Sequence, residues 1–328
     1  MSEVLLEVQD LSVVYKTDLE TVHALNGTSF SIKKGKTLGL VGETGAGKTS
    51  LALAILRLLP KPVGQVTGGT VIFDGQDLSG LNEARMKDIR GNLISMIFQD
   101  PMTALNPIMR VGDQIAESLM LHNDEKLSKA EIDKRVAEVL EMVSIPAFRK
   151  DEYPHQFSGG MKQRVVIAMA LTCKPILLIA DEPTTALDVT IQAQVLAMMA
   201  ELKELLGTSM VLITHDLGVV AQICDDVAVM YAGEIIEYGS ARDVFAKGLH
   251  HPYTEGLFGS LPNLTEKTTR LMAIDGFMPD PTNLPAGCSF CPRCPKALPI
   301  CETQHPGDFM LGETHRLRCF LAKEEVQA

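Results

Sequence analysis

Residues 37–59 decide the fold: Thr37-Leu-Gly-Leu-Val41, then Gly42-Glu-Thr-Gly-Ala-Gly-Lys-Thr49, then Ser50-Leu-Ala-Leu-Ala-Ile-Leu-Arg-Leu-Leu59, with Pro60 behind them. The first five read as a short buried strand, and the last ten as a helix that the proline ends. The eight between match G-x-x-x-x-G-K-[ST] in the context that motif requires, after a strand and before a helix. Glycines at 42, 45 and 47 let successive N–H groups turn inward, and the helix N-terminus adds a field that favours phosphate oxygens. Gly42, Glu43, Thr44, Gly45, Ala46, Gly47, Lys48, Thr49 and Ser50 are therefore the candidate phosphate cradle. Lys48 supplies a point charge and Thr49 a hydroxyl for Mg²⁺.

Upstream, Leu5 to Ile32 alternates apolar residues (Leu6, Val8, Val13, Phe30, Ile32) with polar ones, predicting short strands in an antiparallel flank. Downstream, from about Asp100 to Ser158, Ile115, Leu119, Ile132, Val136, Val139, Leu140 and Val143 recur at threes and fours, predicting a helical insertion. Two further strands follow, Ile176 to Ala180 and Met210 to Thr214, each after a helical stretch, which implies a parallel sheet of the α/β class. The first runs into Asp181 and Glu182. Asp181 is placed for the Mg²⁺ shell and Glu182 to polarise an attacking water. His215 follows the second strand, at the sheet edge where ligands of open α/β folds bind.

Composition fits this reading. The 328 residues are 46% hydrophobic and 22% charged, enough for one large domain and an appendage. Acidic residues number 41 against 30 basic, a formal charge of -11 without a dense Lys/Arg block, so nucleic acid is not the expected partner. No apolar stretch approaches the roughly 20 residues of a membrane span, and the opening residues lack a signal peptide's basic and apolar regions. Any membrane role is expected to come through partners.

Phe157-Ser-Gly-Gly-Met-Lys-Gln-Arg164 opens a helix, so Ser158, Gly159, Gly160 and Met161 make a second phosphate cradle. This string resembles the signature motif of ATP-binding cassette ATPases, with Phe157 for the commoner Leu and Met161 for Gln. The resemblance covers residues 1 to about 245. It implies that Tyr15 stacks on adenine, that Gln99 touches Mg²⁺ and senses the transmembrane partner, that Ala186-Leu187-Asp188 crosses a dimer interface, and that His215 is the switch histidine at the γ-phosphate. The strings Gln99-Asp-Pro-Met-Thr-Ala-Leu-Asn-Pro107 and Asp181-Glu-Pro-Thr-Thr-Ala-Leu-Asp-Val-Thr190 resemble the di- and oligopeptide importer subfamily. With Lys48, Glu182 and His215 intact, that implies a hydrolysis-competent ATPase subunit on the cytoplasmic face of the membrane. Its implied partners are a second, paralogous ATPase, two membrane permeases and an extracytoplasmic binding protein. Peptides are the expected cargo; related importers carry nickel chelates or oligosaccharides, and soluble cassette ATPases form a further alternative. The expected architecture is an α/β cassette core with its antiparallel flank (residues 1–98 and 166–245), a helical signature subdomain (99–165) and a Cys-rich extension (246–328).

Five of the seven cysteines, Cys288, Cys291, Cys294, Cys301 and Cys319, fall in the last 41 residues, amid Pro- and Gly-punctuated sequence. In the absence of a secretory context this suggests metal before disulfide. Spacing alone leaves zinc, an iron–sulfur cluster and unligated thiols open, and Cys288-x-x-Cys291-x-x-Cys294 also fits the start of a ferredoxin run. The resemblance to the subfamily's C-terminal extension implies a four-iron four-sulfur (4Fe-4S) cluster on Cys288, Cys294, Cys301 and Cys319, with Cys291 an extra thiol. Cys173 and Cys224 lie on apolar helical stretches and read as small buried hydrophobes.

Overall fold

The computed structural model describes residues 3–100, 103–123, 126–185, 187–260 and 274–323. Its strands are β1 (Val4–Lys16), β2 (Thr21–Lys33), β3 (Thr37–Val41), β4 (Gly64–Phe73), β5 (Gln76–Asp77), β6 (Ile94–Ile97), β7 (Leu177–Asp181), β8 (Ser209–Ile213), β9 (Asp226–Tyr231), β10 (Glu234–Ser240), β11 (Phe309–Met310) and β12 (Arg316–Leu317). Its α-helices are α1 (Lys48–Ile55), α2 (Glu83–Ile89), α3 (Val111–Leu121), α4 (Lys129–Met142), α5 (Gly159–Leu171), α6 (Val189–Leu206), α7 (Leu217–Ile223), α8 (Ala241–Phe245) and α9 (Pro252–Gly259). No helix among the described residues is long and apolar enough to cross a membrane.

The chain divides into two compact units. One comprises residues 1–3, 32–37 and 80–214. There β6, β7 and β8 run parallel, in register from Ile94↔Leu177 and Leu177↔Ser209 to Asp181↔Ile213. Strands β7 and β8 are buried at every residue, as strands covered on both faces must be, and read as continuous apolar runs. The helical insertion is α3 and α4 followed by two 3₁₀ turns at 147–151 and 154–156. Helix α4 starts on a reciprocal cap, in which Ser128 and Glu131 each accept the other's backbone N–H.

The other unit comprises residues 4–31, 38–79 and 215–328. Its antiparallel flank has the order β2-β1-β4-β5, and β3 pairs in parallel with β9, which continues antiparallel through β10 and β12 to β11. The flank is built from two 13-residue strands rather than short ones. An irregularity between Gln9 and Ser12 lets β1 carry Asp10 at a positive φ of 47° and still pair with β4 from Leu6↔Phe73 to Tyr15↔Gly64. Helix α1 also differs from the sequence reading: it begins inside the motif at Lys48 and stops at Ile55, well before Pro60. Arg57 takes a left-handed φ of 54°, its N–H donating to Ala54 O at 3.0 Å while Leu58 N–H donates to Leu53 O at 2.8 Å. That paired closure satisfies the last carbonyls, so the helix ends before the proline is reached.

Candidate functional site

The phosphate loop lies in the second unit and is framed by backbone. A Cβ on Gly42 would stand 2.2 Å from Met230 O, and Gly47 holds φ +106° with its Cβ position 2.5 Å from Ala24 O. No side chain fits either place. Gly47 is also the N-cap of α1, and no side chain caps it, so the first-turn N–H groups keep their orientation toward a ligand. Ala46 is fully buried and its carbonyl accepts from Gly233 N–H at 2.8 Å. Lys48, 7% exposed, donates from Nζ to Gly42 O (2.7 Å) and Glu43 O (3.0 Å). Thr44, Gly45 and Thr49 face solvent, and the Ser50 hydroxyl bonds that of Tyr15 at 3.1 Å. Tyr15 is half-buried on β1. His215 is exposed, one residue before Asp216, whose carboxylate caps α7 at Gly218 and Val219.

The carboxylate pair lies in the first unit. Asp181 ends β7 and is 1% exposed. Glu182 takes a positive φ of 46°, a strained backbone for a residue with a side chain, and its N–H donates to Ile213 O at 2.9 Å. The Glu182 Oε2 accepts from Thr185 Oγ1 (2.9 Å) and Gln99 Nε2 (3.3 Å). Gln99 and Glu182, 83 residues apart, thus meet directly. A carboxylate aimed by a hydroxyl and an amide donor is suited to orient water.

In the same unit Ser158 caps α5, its hydroxyl accepting from Met161 N–H at a long 3.4 Å, and Gly159 and Gly160 form the first turn. The two unusual residues share one partner that the sequence did not reveal. The Arg149 guanidinium lies 4.5 Å over the Phe157 ring, while its Nη1 reaches Met161 Sδ at 3.2 Å and its Nη2 donates to Gln156 O at 3.0 Å. Asp188 caps α6 by accepting from Ile191 N–H at 3.0 Å. Its loop neighbour Ala186 lies outside the described residues.

The cysteine segment belongs to the second unit. All seven cysteines are free thiols. Cys288 N–H donates to Cys301 O at 2.9 Å, and tight turns place Cys291 and Cys294 next. Burial first, then neighbouring sulfurs, push the Cys288 thiol up to about 12 and Cys319 to about 11; Cys291 and Cys294 also move up. Cys288 feels Cys301 and Cys319, Cys294 feels Cys301, and Cys319 feels Cys294 and Cys301. Such thiols stay protonated until an ion displaces the protons.

One further cluster was not legible. Glu237, fully buried on β10, accepts from His250 Nδ1 (2.7 Å), His315 Nε2 (2.8 Å) and His251 N–H (2.9 Å). Among the described residues these three side chains, Glu237, His250 and His315, are the trio whose ligand atoms all lie within 4.8 Å of one another. His250 Nε2 also faces Ala246 O at 2.8 Å, so both ring nitrogens meet acceptors and the ring's pKa is raised. Despite its burial, Glu237 is held down to about 2 by these donors. The cluster is a buried, ion-paired hydrogen-bond network.

A framed phosphate loop, a strand ending in paired carboxylates and a serine-glycine helix start together define an ATP-binding cassette. The sequence profile of the ABC transporter family matches residues 25–185, and that of the oligopeptide/dipeptide transporter C-terminal region matches residues 236–301. The chain is 49% identical over 327 residues to the dipeptide transport ATP-binding protein DppD of Bacillus subtilis, covering 99% of this chain and 97% of that one. It is 50% identical over 329 residues to the oligopeptide transport ATP-binding protein OppD of Salmonella typhimurium, covering 99% and 96%. A dimeric ATP-binding cassette in a post-hydrolysis state with ADP and phosphate superposes with a TM-score of 0.65 at 27% identity, over 72% of this chain and 99% of that one. The chain belongs to the ATP-binding subunits of the dipeptide and oligopeptide ABC transporters.

Proposed function

We propose that this chain hydrolyses ATP to drive peptide import through membrane permeases. The observation that carries the reading is the coexistence, over nearly the full chain, of an intact phosphate loop and a transporter-type C-terminal region. Gly42 to Ser50 bind the triphosphate, with Lys48 moving from loop carbonyls to phosphate oxygens, and Tyr15 carries the adenine. Hard oxygen donors suit Mg²⁺, and Thr49, Gln99 and Asp181 supply them. Glu182 orients the water, and His215 contacts the γ-phosphate. Ser158, Gly159, Gly160 and Met161 close over nucleotide on an opposing cassette, with Asp188 at the interface, so ATP binding closes a dimer and hydrolysis resets it.

The working assembly pairs this subunit with a paralogous ATPase on two permeases at the cytoplasmic face, fed by an extracytoplasmic binding protein. Cys288, Cys294, Cys301 and Cys319 hold a 4Fe-4S cluster, which supplies a redox-active or structural centre when bound. The donor set fits such a group: four free thiols gather in one Pro-rich segment, Cys301 and Cys319 buried and Cys288 and Cys294 partly buried, and thiolates are the soft ligands that iron–sulfur clusters take. Metal and acid-labile sulfide content of chain purified without oxygen tests it; one zinc and no iron overturns it.

Glu182→Gln tests the central reading. The variant keeps shape and loses the charge that orients water, so ATP binding persists, a closed dimer accumulates, and turnover falls about 10²–10³-fold. Wild-type turnover in that variant overturns the assignment.

A further inference from the structure

Glu43 is the second residue of the phosphate loop, and a carboxylate there is electrostatically adverse, because the ligand of that loop is a polyanion. The chain answers it from 250 residues away. Arg293 grips the Glu43 carboxylate bidentately, Nη1 to Oε2 at 2.8 Å and Nη2 to Oε1 at 3.1 Å. The guanidinium is itself fixed: Nε donates to Asp275 O at 2.9 Å, Nη1 reaches Tyr231 Oη at 3.4 Å, and the side chain is 5% exposed. A planar fork so seated is a specific device, because a lysine supplies the charge without the two parallel bonds.

The remaining groups of Glu43 are held too. Its N–H donates to the hydroxyl of Tyr253 on α9 at 2.8 Å, and its carbonyl accepts from Lys48 Nζ at 3.0 Å. Tyr253 is fully buried against Phe290 and Tyr231, with ring centroids 5.5 and 4.7 Å away. Both grips come from the C-terminal extension, and Arg293 sits in the same tight turn as Cys291 and Cys294.

We propose that Arg293 is a positioning residue for nucleotide binding: by neutralising Glu43 and fixing its orientation, the C-terminal extension sets the charge and shape of the phosphate loop and thereby its affinity for ATP. The proposal rests on the nucleotide-binding reading given above. Removing Arg293 leaves an uncompensated carboxylate beside the triphosphate, and removing the Glu43 charge as well cancels that defect.

The test is binding of a fluorescent ATP analogue to the purified full chain, with thermal unfolding recorded for each variant. Arg293→Gln weakens binding about tenfold, equivalent to about 1.4 kcal/mol. Adding Glu43→Gln returns affinity to within about threefold of wild type, a rescue that a merely structural role for Arg293 does not give. Glu43→Gln alone binds more tightly than wild type, because the adverse charge is removed while the Arg293 charge stays, a readout that stands even where Arg293→Gln unfolds. Folded Arg293→Gln with wild-type affinity overturns the proposal, as does a double variant no tighter than Arg293→Gln, or binding by Glu43→Gln alone that is no tighter than wild type. Lys48→Ala separates the two readings: a chain that binds the analogue equally with and without Lys48 refutes the nucleotide site itself.

Discussion

Helices α1 and α5 both begin at glycine-rich turns suited to phosphate, yet they are built differently. The start of α1 is left uncapped by any side chain, and its shape comes from backbone packed against Gly42 and Gly47. The start of α5 is capped by its own Ser158 and braced by the Arg149 side chain on Phe157 and Met161. A backbone-framed turn keeps its donors aimed at all times and suits a resident ligand. A turn held by side chains, with its serine engaged at 3.4 Å, is suited to a ligand that arrives on another surface and displaces that weak bond.

The sharpest way to break this contrast is Lys48→Ala. It removes the buried ammonium that in the free loop donates to two carbonyls and that exchanges them for phosphate oxygens, and at about 1.5–3 kcal/mol for each charged hydrogen bond to phosphate so lost, ATP affinity falls at least about a hundredfold by calorimetry. Arg149→Ala comes next. Loss of the stack on Phe157 and of the ion pair to Glu152 costs about 2 kcal/mol in denaturant unfolding and lowers turnover, while ATP affinity of the isolated chain stays at the wild-type value. A parallel fall in that affinity would erase the distinction between the two helix starts. Ser158→Ala is the mildest in stability, about 0.5 kcal/mol, because the cap it removes is long. Its turnover falls several-fold and protein concentration does not restore it; unchanged turnover would assign Ser158 to capping alone.

How much of this was legible follows sequence separation. The phosphate loop is eight consecutive residues between a strand and a helix, and the parallel strands announced themselves by continuous apolar runs, because all of that information is local. Phe157 and Met161 were visible as departures, but their reason, Arg149, lies 12 residues from Met161 in the first of two 3₁₀ turns whose path no periodicity encodes. The grip of Arg293 on Glu43 spans 250 residues and that of His315 on Glu237 spans 78, and single-chain patterns carry no signal for pairing at that range. His251-Pro-Tyr-Thr254 offered a partial hint, since proline at the first helical position marks the start of α9. The early stop of α1 was masked by Pro60, a strong breaker that the chain never needed to use.

The network at Glu237 has a consequence for inheritance. Three donors to that carboxylate, His250, His251 and His315, come after Phe245, and β12 covers the edge of β10 at Glu237↔Leu317 and Tyr238↔Arg316. A gene shortened at the nominal end of the cassette would yield a chain with a bared strand edge and an orphaned carboxylate, prone to pair with its own copies. An exchange of this tail for another therefore keeps the carboxylate paired only where the incoming segment supplies the same donors.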